Sequence, residues 1–173
     1  GDGTSDLVWR NDGTGETALW LMSDGMFLRG AVVVVDPAWR VTHVGDFDGD
    51  GTTDLVWHNA TDGRTILWLV DGLAFRAWAV LLQHADWKVQ HTGDFDGDGK
   101  ADLLWRNRAT GETAVWLMDG TKMRAGTIVQ ANGAWNVEQV GDLDGDGRDD
   151  LVWSGPNQQV ALYLMDGTLR RAG

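Results

Sequence analysis

Short apolar runs separated by polar turn pairs fill this chain, and the stretch 54–92 shows the pattern most clearly. Residues 54–59 (D-L-V-W-H-N) read as a short apolar strand, and 65–70 (T-I-L-W-L-V) as a β-branched and aromatic one. Asp62-Gly63 between them is a turn signal, and Asp71-Gly72 after them is a two-residue hairpin signal. Residues 73–82 supply a third strand and 87–92 a fourth. Matching hairpin pairs stand at Asp24-Gly25, Asp119-Gly120 and Asp166-Gly167. No segment sustains a long apolar period of 3.6 residues, which excludes stacked helix pairs.

The pattern repeats. The string G-D-F-D-G-D-G at 45–51 recurs at 93–99 and, with Leu143 in place of Phe, at 141–147, each step being 48 residues. Gly1-Asp2-Gly3 matches Gly49-Asp50-Gly51 at the same step. Three tryptophan columns share the period: Trp9, Trp57, Trp105 and Trp153; Trp20, Trp68 and Trp116, with Tyr163 one place early; and Trp39, Trp87 and Trp135. Four strands per period of this length predict an all-β chain, a β-propeller of four-stranded blades, with about 3.6 blades present. The expected organisation is one repeat domain, 1–173, with blades at about 1–44, 45–92, 93–140 and an incomplete 141–173. Such a segment is expected to belong to a larger or oligomeric ring, because a repeat unit exposes apolar faces at both ends. The start at Gly1 without Met suggests a mature, trimmed or fragmentary chain.

Composition sharpens this picture. The 26 acidic residues comprise 23 Asp and only 3 Glu, beside 24 Gly. Asp and Gly favour turns, whereas helical surfaces use Glu freely. Fourteen of the Asp fall in the recurring loop; without them 12 acids face 14 bases, so the net charge of −12 resides in those loops. Concentrated Asp argues for cations, and the lack of a basic stripe argues against nucleic acid. There is no Cys, so disulfides and thiolate metal sites are excluded. No apolar run approaches membrane-spanning length.

Asp46, Asp48, Asp50, Thr52 and Asp54 occupy positions 1, 3, 5, 7 and 9 of a loop. Alternate carboxylates converge when backbone curls around an ion, position 7 adds its carbonyl, and Gly at position 6 permits the turn; this is the oxygen-rich shell of Ca²⁺. Two further sets are complete: Asp94, Asp96, Asp98, Lys100 and Asp102, and Asp142, Asp144, Asp146, Arg148 and Asp150, with Lys100 and Arg148 contributing carbonyls. The first copy keeps only Asp2, Thr4 and Asp6 and is expected to be empty or weak. An EF-hand would place Glu at position 12, where this chain has Trp57, Trp105 or Trp153, so the loop opens onto a strand. Turn-forming Asx hydrogen bonds alone would not need four carboxylates. The ion is expected to be structural, locking one blade's last strand to the next blade's first.

These residues, and above all G-D-F-D-G-D-G-x-x-D-L at 45–55, resemble the FG-GAP/VCBS repeat family, the blades of integrin-α-type propellers and of fungal and bacterial propeller lectins. The resemblance spans the whole chain. It implies Ca²⁺ at the aspartates just named and a ring that usually closes with seven blades, of which this chain supplies about half.

Ten of the eleven Trp lie in the three columns. Packing between blades is the preferred reading of them, since every blade must pack alike. Sugar stacking is the sharper reading. Trp39, Trp87 and Trp135 begin strands near a loop, and Trp9, Trp57 and Trp105 each lead a Trp-Arg-Asn or Trp-His-Asn run, so these six are the candidate ligand contacts. Trp78 stands where Gly30, Gly126 and Gly173 stand in the other copies, and packing is the favoured explanation. His43, His58, His84 and His91 show only strand or turn roles, and no nucleophile arrangement accompanies them. The expectation is a non-catalytic, extracellular or cell-surface binding module for carbohydrate or a cell-surface protein. The alternative is a structural, self-assembling propeller segment with Ca²⁺ as its only ligand.

Overall fold

Apolar runs bounded by Asp-Gly pairs become strands because the turns reverse the chain every six to ten residues and leave antiparallel pairing as the local solution. The computed structural model describes residues 4–172. Its first sheet joins β1 (Leu7–Arg10), β2 (Glu16–Ser23) and β3 (Met26–Val35). The second joins β4 (Trp39–Gly45), β5 (Asp54–Asn59), β6 (Arg64–Asp71) and β7 (Ala74–Gln83). The third joins β8 (Trp87–Gly93), β9 (Asp102–Asn107), β10 (Thr113–Asp119) and β11 (Lys122–Gln130). The fourth joins β12 (Asn136–Gly141), β13 (Asp150–Ser154), β14 (Val160–Asp166) and β15 (Leu169–Ala172), with a single 3₁₀ turn at Pro156–Gln158. All pairings are antiparallel between sequence neighbours, the meander of a β-propeller blade.

The blades are out of phase with the sequence boundaries drawn at 45, 93 and 141. Trp39 pairs with Asn59 and Gly45 with Asp54, so β4 belongs to the same sheet as the strands that follow it. Each Asp-rich loop is therefore a connection inside a blade, between its first two strands. It does not link the last strand of one blade to the first of the next; that crossing is made at 36–38, 84–86 and 131–135. The physical reason is that strands joined by an eight-residue reversal pair with each other in preference to a more distant neighbour.

The core lies between sheets. In β5 and β9 nearly every residue is buried, so these strands read as continuous apolar runs, while the outer strands β7 and β11 are largely exposed. Side chains alternate between the two seams, as a period of two requires. Leu55 and Trp57 pack with Leu19 of the first blade, whereas Val56 and Leu67 pack with Leu103, Trp105 and Met118 of the third. Phe95, Leu104 and Val115 do the same against Leu151, Trp153 and Met165 of the fourth. Trp57, Trp105 and Trp153 are at most 1% exposed, each filling the wedge toward the preceding blade. Truncating a fully buried indole of this kind costs about 3–5 kcal/mol.

Candidate metal loops and an aromatic seam groove

The Asp-rich loops are built by their own backbone. Gly49 and Gly51 adopt φ of 76° and 80°, a left-handed geometry that favours glycine. The curl aims three amides at the first carboxylate: Asp46 accepts from the N–H groups of Gly49 (2.7 Å), Asp50 (3.2 Å) and Gly51 (2.8 Å). Asp94 and Asp142 are held in the same way. The Gly147 amide, foremost among these donors, holds Asp142 below the usual carboxylate range.

The ninth-position aspartates tie the loop to the sheet. Asp54 accepts from the N–H of Phe47 and of Val70, both at 2.9 Å. Asp102 accepts from Phe95 (3.0 Å) and Met118 (2.8 Å), and Asp150 from Leu143 (3.0 Å) and Met165 (2.9 Å). All three are at most 1% exposed. Burial pushes Asp54 up to about 6 and Asp102 up to about 7, against the pull of those amides. In the first copy Asp6 accepts from the Met22 amide at 2.9 Å, its one backbone donor among the described residues, and Asp2 lies outside them.

Carboxylate oxygens converge in each complete loop. Those of Asp46, Asp48 and Asp50, of Asp94, Asp96 and Asp102, and of Asp142, Asp144 and Asp146 lie within 4.8 Å of one another. Asp96 Oδ1 is buried without a hydrogen-bond partner, an orphaned acceptor of the kind a cation would satisfy. Three or more converging hard oxygens on a glycine-bent loop suit Ca²⁺. The side chains at position 7 are engaged within the protein, Thr52 and Arg148 partly with carboxylates of their own loops. Thr52 Oγ1 donates to the Val70 carbonyl (2.7 Å), Lys100 Nζ reaches Asp119 (2.5 Å), and Arg148 reaches Asp146 (3.2 Å). Any contribution to a cation from these positions would come from the carbonyl.

Sequence reasoning missed three residues here. Arg76, Arg124 and Arg171 extend from the outer strands over the loops. Arg76 pairs with Asp48 (3.3 Å) and Asp50, Arg124 with Asp96 and Asp98 (3.0 Å), and Arg171 with Asp144 (2.6 Å) and Asp146 (2.8 Å). The signal was present: Arg76 and Arg124 are 48 residues apart, and Arg171 comes one place early, as Tyr163 does. The loops also touch one another across seams. Ala101 N–H donates to the Asp46 carbonyl and Asp149 N–H to the Asp94 carbonyl, both at 2.6 Å.

The tryptophan columns separate by burial. Trp57 and Trp105, named as candidate ligand contacts, are buried at 0% and 1% exposure and form the floors of the seam grooves, not exposed stacking faces. Trp9 is 49% exposed, with no blade of this chain against it. Trp39, Trp87 and Trp135 are half-buried at the seams. Trp39 lines a groove of about 650 Å³ between the first and second blades, with Asp36, Arg64, Trp68, Phe75 and Trp78. There Trp68 meets Phe75 edge-on at 4.2 Å, and the Arg64 guanidinium sits 5.2 Å over Trp39. The matching groove between the second and third blades, lined by Trp87, Trp116 and Gly126, holds about 340 Å³.

Trp78 accounts for much of the difference, and the packing explanation favoured for it fails: it is 64% exposed. In the first and third blades the equivalent Gly30 and Gly126 lie under an indole, where an added Cβ would come within 2.6 Å of Trp20 and 2.9 Å of Trp116. In the second blade Trp78 stands opposite Trp68 and extends the aromatic wall into solvent.

A family model for the FG-GAP-like repeat matches residues 1–57, 46–105 and 94–153. No curated protein matches the chain. Among solved structures, the chain is similar to a lectin of Agrocybe aegerita, described as the structural basis of specific recognition of non-reducing terminal N-acetylglucosamine. The two are 19% identical with a TM-score of 0.69, and the match covers 96% of this chain and 47% of the lectin chain, about half its length.

Proposed function

The chain belongs to the FG-GAP-like repeat family, and on that premise we propose that it is a non-catalytic, calcium-stabilised binding module that recognises carbohydrate at its first seam. The carrying observation is the wall of Trp68, Phe75 and Trp78, with Phe75 and Trp78 at 50% and 64% exposure. Aromatic faces pack on the apolar faces of sugar rings, and a few polar groups fix the hydroxyls. Arg64 and Asp36 stand on the same groove to do so. Ca²⁺, when bound, supplies a divalent charge that neutralises the converging carboxylates. The protein residues align Asp46, Asp94 and Asp142 through backbone amides and join neighbouring loops. Extracellular calcium modules fill at roughly 10⁻⁴–10⁻³ M, and an extracellular or cell-surface setting belongs to this reading.

A glycan array probed in calcium tests this reading, with terminal N-acetylglucosamine as the first ligand because of the similar lectin. Trp78→Gly, which installs the residue of the first and third blades, is expected to weaken binding about tenfold, or about 1.4 kcal/mol. Absence of binding to every glycan, or unchanged binding by the variant, removes the proposal.

A second reading, self-assembly, is favoured by a specific contrast. Leu7 and Trp9 are 39% and 49% exposed, while their equivalents Leu55 and Trp57 are 3% and 0% exposed beneath the preceding blade. A second copy covering that face would bury it similarly. Light scattering of the purified chain is expected to give at least twice the monomer mass, and a monodisperse monomer at micromolar concentration excludes this reading.

A further inference from the structure

The internal repeat provides its own controls, because each seam carries equivalent residues at 48-residue spacing. At the first seam Arg10 reaches across to the Trp39 carbonyl (2.6 Å) and holds Thr17 Oγ1 (3.1 Å). Asp12 neutralises both cations there, at 3.2 Å from Arg10 and 2.7 Å from Arg40. At the third seam Arg106 makes the same crossing to the Trp135 carbonyl (2.7 Å), and Asn136 replaces the second cation and accepts from Arg106 at 3.1 Å.

The second seam keeps Thr65 and Trp87 but departs at the charged positions. His58 replaces the crossing arginine, and its Nδ1 reaches Thr65 Oγ1 at 3.2 Å. Ala60 replaces Asp12, so the neutralising acid is gone. Lys88 replaces Arg40, and Arg108 stands where the first seam has Ala60. The shortened side chains leave a cavity of about 470 Å³, lined by His43, His58, Thr65, Lys88 and Arg108 among others, with no acid in its wall. Lys88 Nζ lies 2.5 Å from His58 Nε2. Among the described residues neither Lys88 nor Arg108 forms an ion pair. Asp62, the acid that acts on His58, is engaged by Arg64 at 2.7 Å, and Asp86 acts on Lys88 from beyond contact distance. Burial and the Arg108 charge lower Lys88, and burial with both cations lowers His58. In a chain of net charge −12, the half-buried Lys88 and the exposed Arg108 beside it, with no acid in the cavity wall, leave a local positive charge unanswered.

We propose that the cavity between the second and third blades is an oxyanion-binding site, taking a carboxylate or sulfate group between Lys88 and Arg108. A guanidinium presents paired N–H donors that match either anion, and an ammonium adds a point charge. The volume admits a sugar ring attached to the anion. The site shares no residue with the aromatic groove and stands independently of it.

The test is an amide NMR titration of the full chain at constant ionic strength with sodium sulfate, sodium glucuronate and, as neutral control, glucose. Saturable shifts centred on His58, Lys88 and Arg108 are expected with one or both anions and not with glucose. Saturation by glucuronate identifies an acidic saccharide as the source of the group, and saturation by sulfate alone identifies a free inorganic anion. Ala60→Asp restores the acid of the first seam and Lys88→Asn the residue of the third, so each variant places a side chain that an equivalent position already carries. Each is expected to weaken anion binding about tenfold, with an unchanged melting temperature reporting an intact fold. No saturable shift, equal shifts with glucose, or full affinity in both folded variants would overturn the assignment.

Discussion

Asp102→Ala is the most informative single change in the metal loops. Asp102 is 0% exposed and accepts the amides of Phe95 and Met118 at 3.0 and 2.8 Å. Removing the carboxylate strands two buried donors, each costing about 1–3 kcal/mol, so about 2–6 kcal/mol is expected. That is a large share of the 5–15 kcal/mol typical of a domain. Asp98→Ala is the control: it removes a more exposed carboxylate of the same loop that pairs with Arg124 at 3.0 Å, a change worth about 1 kcal/mol or less. Urea unfolding followed by tryptophan fluorescence, in chelator so that no metal contributes, measures both. A loss below about 1 kcal/mol for Asp102→Ala, or one equal to the control, would refute the view that this aspartate is primarily a backbone anchor. The same residue sets a pH test through Asp102→Asn. Burial raises Asp102 from 3.8 to about 7, so folding favours its protonated form. Its contribution in chelator is therefore full below about pH 4 and lost as pH rises through about 7. With a cation in the loop the carboxylate is the favoured form and the sign reverses. The stability difference between wild type and Asp102→Asn should thus shrink with rising pH in chelator and grow with rising pH in calcium; slopes of the same sign in both media would remove the metal assignment.

Other expectations follow from the packing. Millimolar Ca²⁺ should raise the melting temperature relative to chelator, since the unfolded chain cannot organise the ligands, and coincident calorimetric curves would exclude binding. Gly93→Ala should cost about 1–3 kcal/mol in urea unfolding, because its Cβ would come within 2.7 Å of Asp149 Oδ2 and Val140 Cγ1, whereas Gly141→Ala meets nothing within 4 Å and should be nearly neutral. Trp57→Ala should destabilise by about 3–5 kcal/mol, while Trp78→Ala should leave the unfolding midpoint within about 0.5 kcal/mol of wild type; equal effects would contradict the burial contrast of 0% against 64%.

The fold was legible because a propeller blade has no long-range secret: four strands joined in order, one hairpin of every blade marked by Asp-Gly, and a period that repeats. Blade phase was not legible. Asp54 and Gly45 pair across a loop that looks, in sequence, like the strongest boundary in the repeat. Nor was the division of labour among the tryptophans. Trp57 and Trp39 recur with equal regularity and pack at the same seam, and only their depth differs: Trp57 sits mid-strand in the buried β5, Trp39 at the start of the half-exposed β4. The carboxylates converged as their spacing required, yet the arginines above them went unnoticed because they arrive from the outer strand, 26 to 28 residues later in the chain.

Regularity and function pull apart in this molecule for a physical reason. Residues that hold a blade against its neighbour face the same problem at each seam, so Phe47 and Phe95, Asp54 and Asp102, and Trp57 and Trp105 recur with the same burial. A side chain that breaks the period gains nothing from that shared geometry and must fit its own surroundings. Trp78 breaks it where glycine would let an indole lie flat, and the result is an open aromatic wall. His58, Ala60, Lys88 and Arg108 break it together, and the result is a cavity whose charge is left unanswered, where the first seam answers it with Asp12. Clustered departures of this kind change the shape and potential of one seam while leaving the shared core untouched. A repeat scaffold can in this way carry two different ligand chemistries on adjacent seams without altering the packing that stabilises both.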